Sequence, residues 1–129
     1  MKKITLLLVI IFTFLFSTTS WGEWSYVDKN RGGFRYYYDK DRLRKSGEYI
    51  YFLELMDYGK PLRGDLSHIV SVKLDCSSLR FRSLKFQSFD KSMGQGKMTD
   101  EWIIEPDKWT YLPETSPETL YHKVCEEHQ

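Results

Sequence analysis

The chain has little cysteine, little histidine and almost no net charge: two Cys, three His and a formal charge of +1 over 129 residues. Two cysteines exclude a disulfide-dense scaffold and leave a single intramolecular pairing, Cys76 with Cys125. Of the histidines, His68, His122 and His128, none has ligand spacing to another, and His122 and His128 do not share a helical face. No metal or cofactor site is therefore expected. Near neutrality removes any broad electrostatic case for nucleic acid or an anionic membrane. Enzyme signatures are scarce too. Gly94-Gln95-Gly96-Lys97 fails as a phosphate loop, with Lys91 where the first glycine belongs and Met98 where Ser or Thr would hold magnesium. No nucleophile elbow is present. Glu54 and Asp57 fall on opposite faces of one strand and cannot form an acid/base pair from it. A non-catalytic protein is expected. A small periplasmic hydrolase is the less favoured alternative, and it would need a cleft gathering His68 with a serine or a carboxylate.

Long apolar runs are also missing, save one. Lys2 and Lys3 precede the run Ile4–Phe16, broken only by Thr5 and Thr13, after which Ser17–Gly22 turns small and polar. That order is an export signal, cut at Gly22/Glu23, because the run falls short of the ~20 residues that span a bilayer. Residues 23–129 then form the mature single domain, 107 residues long, and losing Lys2 and Lys3 takes its formal charge from +1 to −1. No cysteine follows the cut, so a lipid anchor is not indicated. A periplasmic, secreted or cell-surface location is expected.

What the chain does contain is period-two patterning. Leu66 to Cys76 alternates cleanly: Leu66, His68, Val70, Val72, Leu74 and Cys76 on one face, Ser67, Ser71, Lys73 and Asp75 on the other, with only Ile69 out of place. Trp24–Val27, Phe34–Tyr38, Glu48–Tyr58, Leu79–Asp90 and Lys97–Ile104 are further strand candidates, and Trp109–Pro113 runs extended. Glu48–Tyr58 is rich in large side chains on both faces, so it belongs in the middle of a sheet. The parity slip between Phe81 and Leu84 calls for a bulge near Arg82-Ser83. Asp39–Lys45 is expected as a turn anchored by Leu43, and Gly59–Asp65, with two glycines and a proline, as a loop. At the C-terminus, Pro117 after a Ser116 cap opens a helix whose stripe is Pro117, Leu120, Tyr121, Val124 and Cys125. The expected class is α+β, an antiparallel sheet of about five to six strands with the C-terminal helix packed on it.

Cys76 lies on the apolar face of its strand and Cys125 on that of the helix, so both sulfurs point into one core. That agreement favours a Cys76–Cys125 staple over intermolecular bridges or two free thiols. Tyrosine is the informative excess, with Tyr26, Tyr36, Tyr37, Tyr38, Tyr49, Tyr51 and Tyr58 crowding the early strands. Tyrosine suits contact surfaces because it joins a large apolar area to a polar tip, although ladders of buried tyrosines would use the same residues. The candidate binding surface is therefore Tyr36, Tyr37, Tyr38, Tyr49 and Tyr51 with Arg63-Gly64-Asp65, a tripeptide of the kind integrins recognise, in the 59–65 loop. Arg80, Arg82 and Lys85 interleave with Phe81 and Phe86, for which a solvated strand face is sufficient. His68 is expected as a satisfied, partly buried histidine.

The order of the pieces resembles the surface-adhesin protein E family of exported bacterial proteins. The resemblance runs through Trp24, Tyr37-Tyr38-Asp39, Leu43, the strand 52–58, Lys60-Pro61, Ser71-Val72-Lys73 and Asp75-Cys76. It continues in Arg80–Leu84, Met93-Gly94-Gln95-Gly96, Trp109, Pro113 and the last helix with Cys125. It implies a sheet with a disulfide-fastened helix and a non-enzymatic adhesin-like role. The implied partner is a protein or envelope component, such as a host matrix protein, and homodimers are known in the family. A structural envelope component acting by oligomerisation is the alternative.

Overall fold

The computed structural model describes residues 23–104, 108–112 and 119–128. The expected signal at 1–22 and the expected helix start at Ser116-Pro117 lie outside them. The fold is built on one long hairpin, β4 (Tyr49–Leu62) and β5 (Asp65–Asp75), paired from Tyr49↔Asp75 to Asp57↔Ser67. Around it stand β1 (Trp24–Lys29), β2 (Arg35–Asp39), β3 (Arg44–Ser46), β6 (Arg80–Phe89), β7 (Met98–Ile103) and β8 (Thr110–Tyr111). Helix α1 (Thr119–His128) closes the described chain. The main sheet order is β1-β2-β4-β5-β6-β7, all antiparallel, with β3 on β4 and β8 on β6.

The sheet thus has eight strands rather than five or six. The additional β3 and β8 are three and two residues long, too short to show a period, and β3 occupies part of the expected 39–45 turn. The expected 59–65 loop is also mostly strand. A register shift between Asp57 and Leu62 carries β4 past Gly59 (φ 75°), and Leu62 pairs again with Asp65. Only Arg63 and Gly64 turn, at φ 53° and 88°, which is the two-residue type I′ geometry that matches strand twist. The bulge in β6 falls at Leu84, where pairing steps from Val72↔Ser83 to Ser71↔Lys85.

Both faces of the β4–β5 hairpin are buried in part, each by a different lid. On one face Tyr38, Ile50, Phe52, Val70, Val72 and Leu74 pack with Leu120, Tyr121, Val124 and Cys125 of α1. The disulfide Cys76–Cys125, with Cα atoms 5.7 Å apart, fastens the helix there. Full burial of such side chains is worth roughly 1.5–3 kcal/mol each, so the stripe on α1 alone justifies its docking. On the other face Leu55, Ile69 and Phe89 meet Trp24, Tyr37, Leu53 and Met93. A short 3₁₀ turn, Ser92–Gly94, caps that second cluster. Gly94 N donates to Ser67 Oγ at 2.9 Å, and Ser67 Oγ donates to the Lys91 carbonyl at 2.6 Å. Ile69, the residue that breaks the β5 pattern, is therefore core of the second face.

Candidate functional site

Among the described residues, the second face is capped only at one end. Towards the other end its side chains form a cation–aromatic cluster. Period two puts Tyr49 and Tyr51 on this face of β4, and register sets Lys73 opposite Tyr51 and Arg82 opposite Lys73. Trp109, just before β8, lies among them. Lys73 Nζ sits 4.2 Å from the Tyr49 ring centre, 5.7 Å from Tyr51 and 5.6 Å from Trp109. The Arg80 and Arg82 guanidinium carbons sit 4.2 and 5.5 Å from the Trp109 ring, and that of Arg44 sits 5.2 Å from Tyr51. Tyr49, Tyr51, Lys73, Arg82 and Trp109 are all half-buried. Cations held over aromatic faces in this way are worth about 0.5–2 kcal/mol each.

The Asp75 carboxylate beside this cluster is already committed. Asp75 is buried and accepts from Arg80 Nε at 2.9 Å, from Ser77 Oγ at 2.8 Å and from Ser78 N at 3.3 Å. Burial pushes its carboxyl up, but the hydrogen bonds from Arg80, Ser77 and Ser78 outweigh it and hold the pKa below its ordinary value. Arg80 is neutralised by that pair; among the described residues, no carboxylate lies within ion-pair distance of Arg44, Lys73 or Arg82.

The tyrosines expected to form one surface divide between the two faces. Tyr36 and Tyr38 face α1. Tyr38 is wholly buried, so it belongs to the core and not to a binding surface. Its hydroxyl donates to Glu127 Oε2 at 2.5 Å, and burial, then that carboxylate, raise its pKa while the hydroxyl lowers that of Glu127. Tyr37 stacks edge-on with the exposed Tyr26 at 5.5 Å, beside the second core cluster. Only Tyr49 and Tyr51 join the cation cluster. Lys73, Arg44 and Trp109 escaped sequence reasoning because they come from separate elements. The interleaving of Arg80, Arg82 and Lys85 with Phe81 and Phe86, read as a solvated strand face, marked two of the cations but none of these three residues.

Arg63 and Gly64 are exposed at the hairpin tip, whereas Asp65 is half-buried in β5. Thr99 Oγ1 donates to Asp65 Oδ1 at 2.7 Å, so this carboxylate is tied sideways to β7. The tip overhangs a groove of about 650 Å³ floored by Tyr58, Phe86 and Trp102. His68 lies beneath, 4.5 Å ring to ring from Phe86, with Nδ1 2.5 Å from Tyr58 Oη. Burial lowers the His68 pKa to about 4, so the ring is neutral at pH 7. Ser88 pairs across the strands with His68, yet its Oγ bonds Thr99 Oγ1 at 3.0 Å and not the imidazole. A hydrolytic serine–histidine couple is not assembled there. Among the described residues, no three His, Cys, Asp or Glu side chains gather as a metal site.

The profile described as Surface-adhesin protein E matches residues 24–126. The chain belongs to this family. Solved structures agree on the fold. Crystal form II of Haemophilus influenzae protein E superposes with a TM-score of 0.59 at 17% identity, covering 86% of this chain and 93% of that one. Protein E from non-typeable Haemophilus influenzae gives a TM-score of 0.55, also at 17% identity, covering 84% of this chain and 80% of that one. No curated protein sequence matches significantly. In this surface-adhesin E member, the antiparallel sheet with its disulfide-fastened helix carries the cation–aromatic cluster and the groove. No helix among the described residues is long and apolar enough to cross a membrane.

Proposed function

We propose that this protein is an exported, non-catalytic adhesin-like module that grips an acidic protein partner on its half-open sheet face. Residues 1–22 serve as the cleaved signal, delivering residues 23–129 to the envelope or beyond it. The observation that carries the reading is Lys73 wedged among Tyr49, Tyr51 and Trp109, with Arg82 beside it and the neighbouring Asp75 spent on Arg80. Aromatic rings supply contact area with little entropy to lose, and Arg44, Lys73 and Arg82 select negative partners. Family membership makes host matrix proteins the first partners to try. The test compares residues 23–129 with a Lys73→Glu/Arg82→Glu variant on immobilised matrix proteins. A loss of at least about tenfold, growing as salt is lowered, is expected for whichever protein is bound. Equal binding by the charge-reversed variant would sink the reading.

A second reading, a structural component that self-associates, is favoured by β7. That strand ends the main sheet order with Ile103 80% exposed and Met98 and Trp102 also exposed. A homodimer paired through β7 would appear in sedimentation as twice the monomer mass, reverting with Ile103→Lys.

A further inference from the structure

We propose that the groove beneath the Arg63-Gly64 tip is a binding site for a neutral sugar residue, separate from the cation–aromatic face. Its floor is an ordered stack. Trp102 lies on Phe86 with ring centres 4.2 Å apart and planes within 18°, Phe86 lies on His68 at 4.5 Å, and His68 meets Tyr58 edge-on at 5.4 Å. These rings come from β7, β6, β5 and β4, so the platform is locked across four strands. Trp102 nevertheless leaves 45% of its surface in water. The indole packs on Phe86, and nearly half of the side chain is left open to the groove.

The walls are polar, and their groups suit hydroxyls. Asp65 and Asp100 accept, Arg63 donates, and Ser88 and Thr99, whose hydroxyl protons go to Thr99 and Asp65 respectively, can still accept. Thr99 Oγ1 already links Asp65 Oδ1, at 2.7 Å, to Ser88 Oγ, at 3.0 Å, so these groups are set in place before any ligand arrives. A pyranose ring offers the matching halves, an apolar C–H face to lie on an aromatic ring and a rim of hydroxyls that both donate and accept. At about 650 Å³ the groove falls within the roughly 300–1,000 Å³ of small-ligand sites. Charge narrows the class. Two carboxylates face one guanidinium, so the groove repels uronic and sialic acids and admits neutral sugars.

The test is an NMR titration of isotopically labelled residues 23–129. The neutral probes are lactose, maltotriose and N-acetylated chitotriose; the others are sialyllactose and trilysine. At least one neutral probe should produce saturable shifts at the Trp102 indole N–H and at residues 63–65, 86–88 and 99–102. Sialyllactose should bind more weakly by at least about threefold. Trp102→Ala should weaken the neutral sugar by about tenfold or more, and Trp102→Tyr should restore most of it, with signals around Cys76–Cys125 unmoved as the check on folding. Absence of saturable shifts from every neutral probe would overturn the proposal. So would sialyllactose binding as well as its neutral counterpart, or trilysine alone occupying these residues. Because Lys73→Glu/Arg82→Glu leaves the groove intact, that variant should bind the sugar normally, and either reading can fail without the other.

Discussion

Acid should weaken this fold through His68 before it reaches the carboxylates. Burial takes the His68 pKa from an ordinary 6.5 down to about 4. Above pH 6.5 the imidazole is neutral in both folded and unfolded chains and contributes no pH dependence. As pH falls below 6.5 the unfolded chain accepts a proton that the folded one refuses until about pH 4, so stability is lost across that window and levels off below it. At about 1.36 kcal/mol per pH unit, the full loss is roughly 3 kcal/mol. That is a sizeable part of the ~5–15 kcal/mol that holds a domain together. Asp75 and Glu127 have lowered pKa values and act later. Their contribution is present above the ordinary carboxylate range and is lost as pH falls through the lowered values. Urea unfolding at pH 8, 6, 5 and 4 should therefore separate the effects when wild type is compared with His68→Asn. Asparagine keeps an acceptor near Nδ1 for the Tyr58 hydroxyl but does not titrate. The variant should start lower at pH 8, having lost the ring packed on Phe86, and should then lose little down to pH 5. Parallel pH curves for the two proteins, or an NMR titration midpoint for His68 near 6.5, would refute the reasoning.

Replacing Cys76 and Cys125 together by serine should cost about 4 kcal/mol in denaturant unfolding, the loop-entropy estimate for a 49-residue separation, with α1 the first element to lose amide protection. Gly94→Ala should lower stability by about 1–2 kcal/mol or more, since φ is +67° and the new Cβ would sit 2.7 Å from Ile69 Cδ1. Gly47→Ala, at φ +61° with no atom within 4 Å, carries the backbone penalty alone and should cost less in the same thermal melt. Trp109→Ala should leave the groove and the second core unchanged by NMR while freeing Lys73 and Arg82, seen as faster side-chain motion.

Much of the frame was legible because it is written in local periods. Alternation through Leu66–Cys76 and the stripe Leu120, Tyr121, Val124, Cys125 each announce a buried face, and together they bring the two cysteines to one core. The short strand β3 was not legible, since three residues show no period, and β8 was legible as part of the extended Trp109–Pro113 but not as a partner of β6. Nor was the strand character of 59–62. Its Gly and Pro signal a turn, but a register shift absorbs them and the chain turns only at Arg63-Gly64.

The candidate surface was legible in smaller part. Tyrosine content marks side chains suited to contact, but alternation does not say which face of a sheet another layer will cover. Tyr38 and Tyr37 are neighbours in sequence and lie on opposite faces, one sealed under α1 and the other beside the smaller core. By itself the sequence determined the α+β frame, the disulfide and the family, because pattern and cysteine placement are local or additive. Only the tertiary structure decided where the open surfaces lie. Lys73, Arg82 and Trp109 meet through cross-strand register, and Asp65, Thr99 and Trp102 through a hairpin folded beside β7. Contacts of that kind depend on which strands become neighbours, and no single segment encodes them.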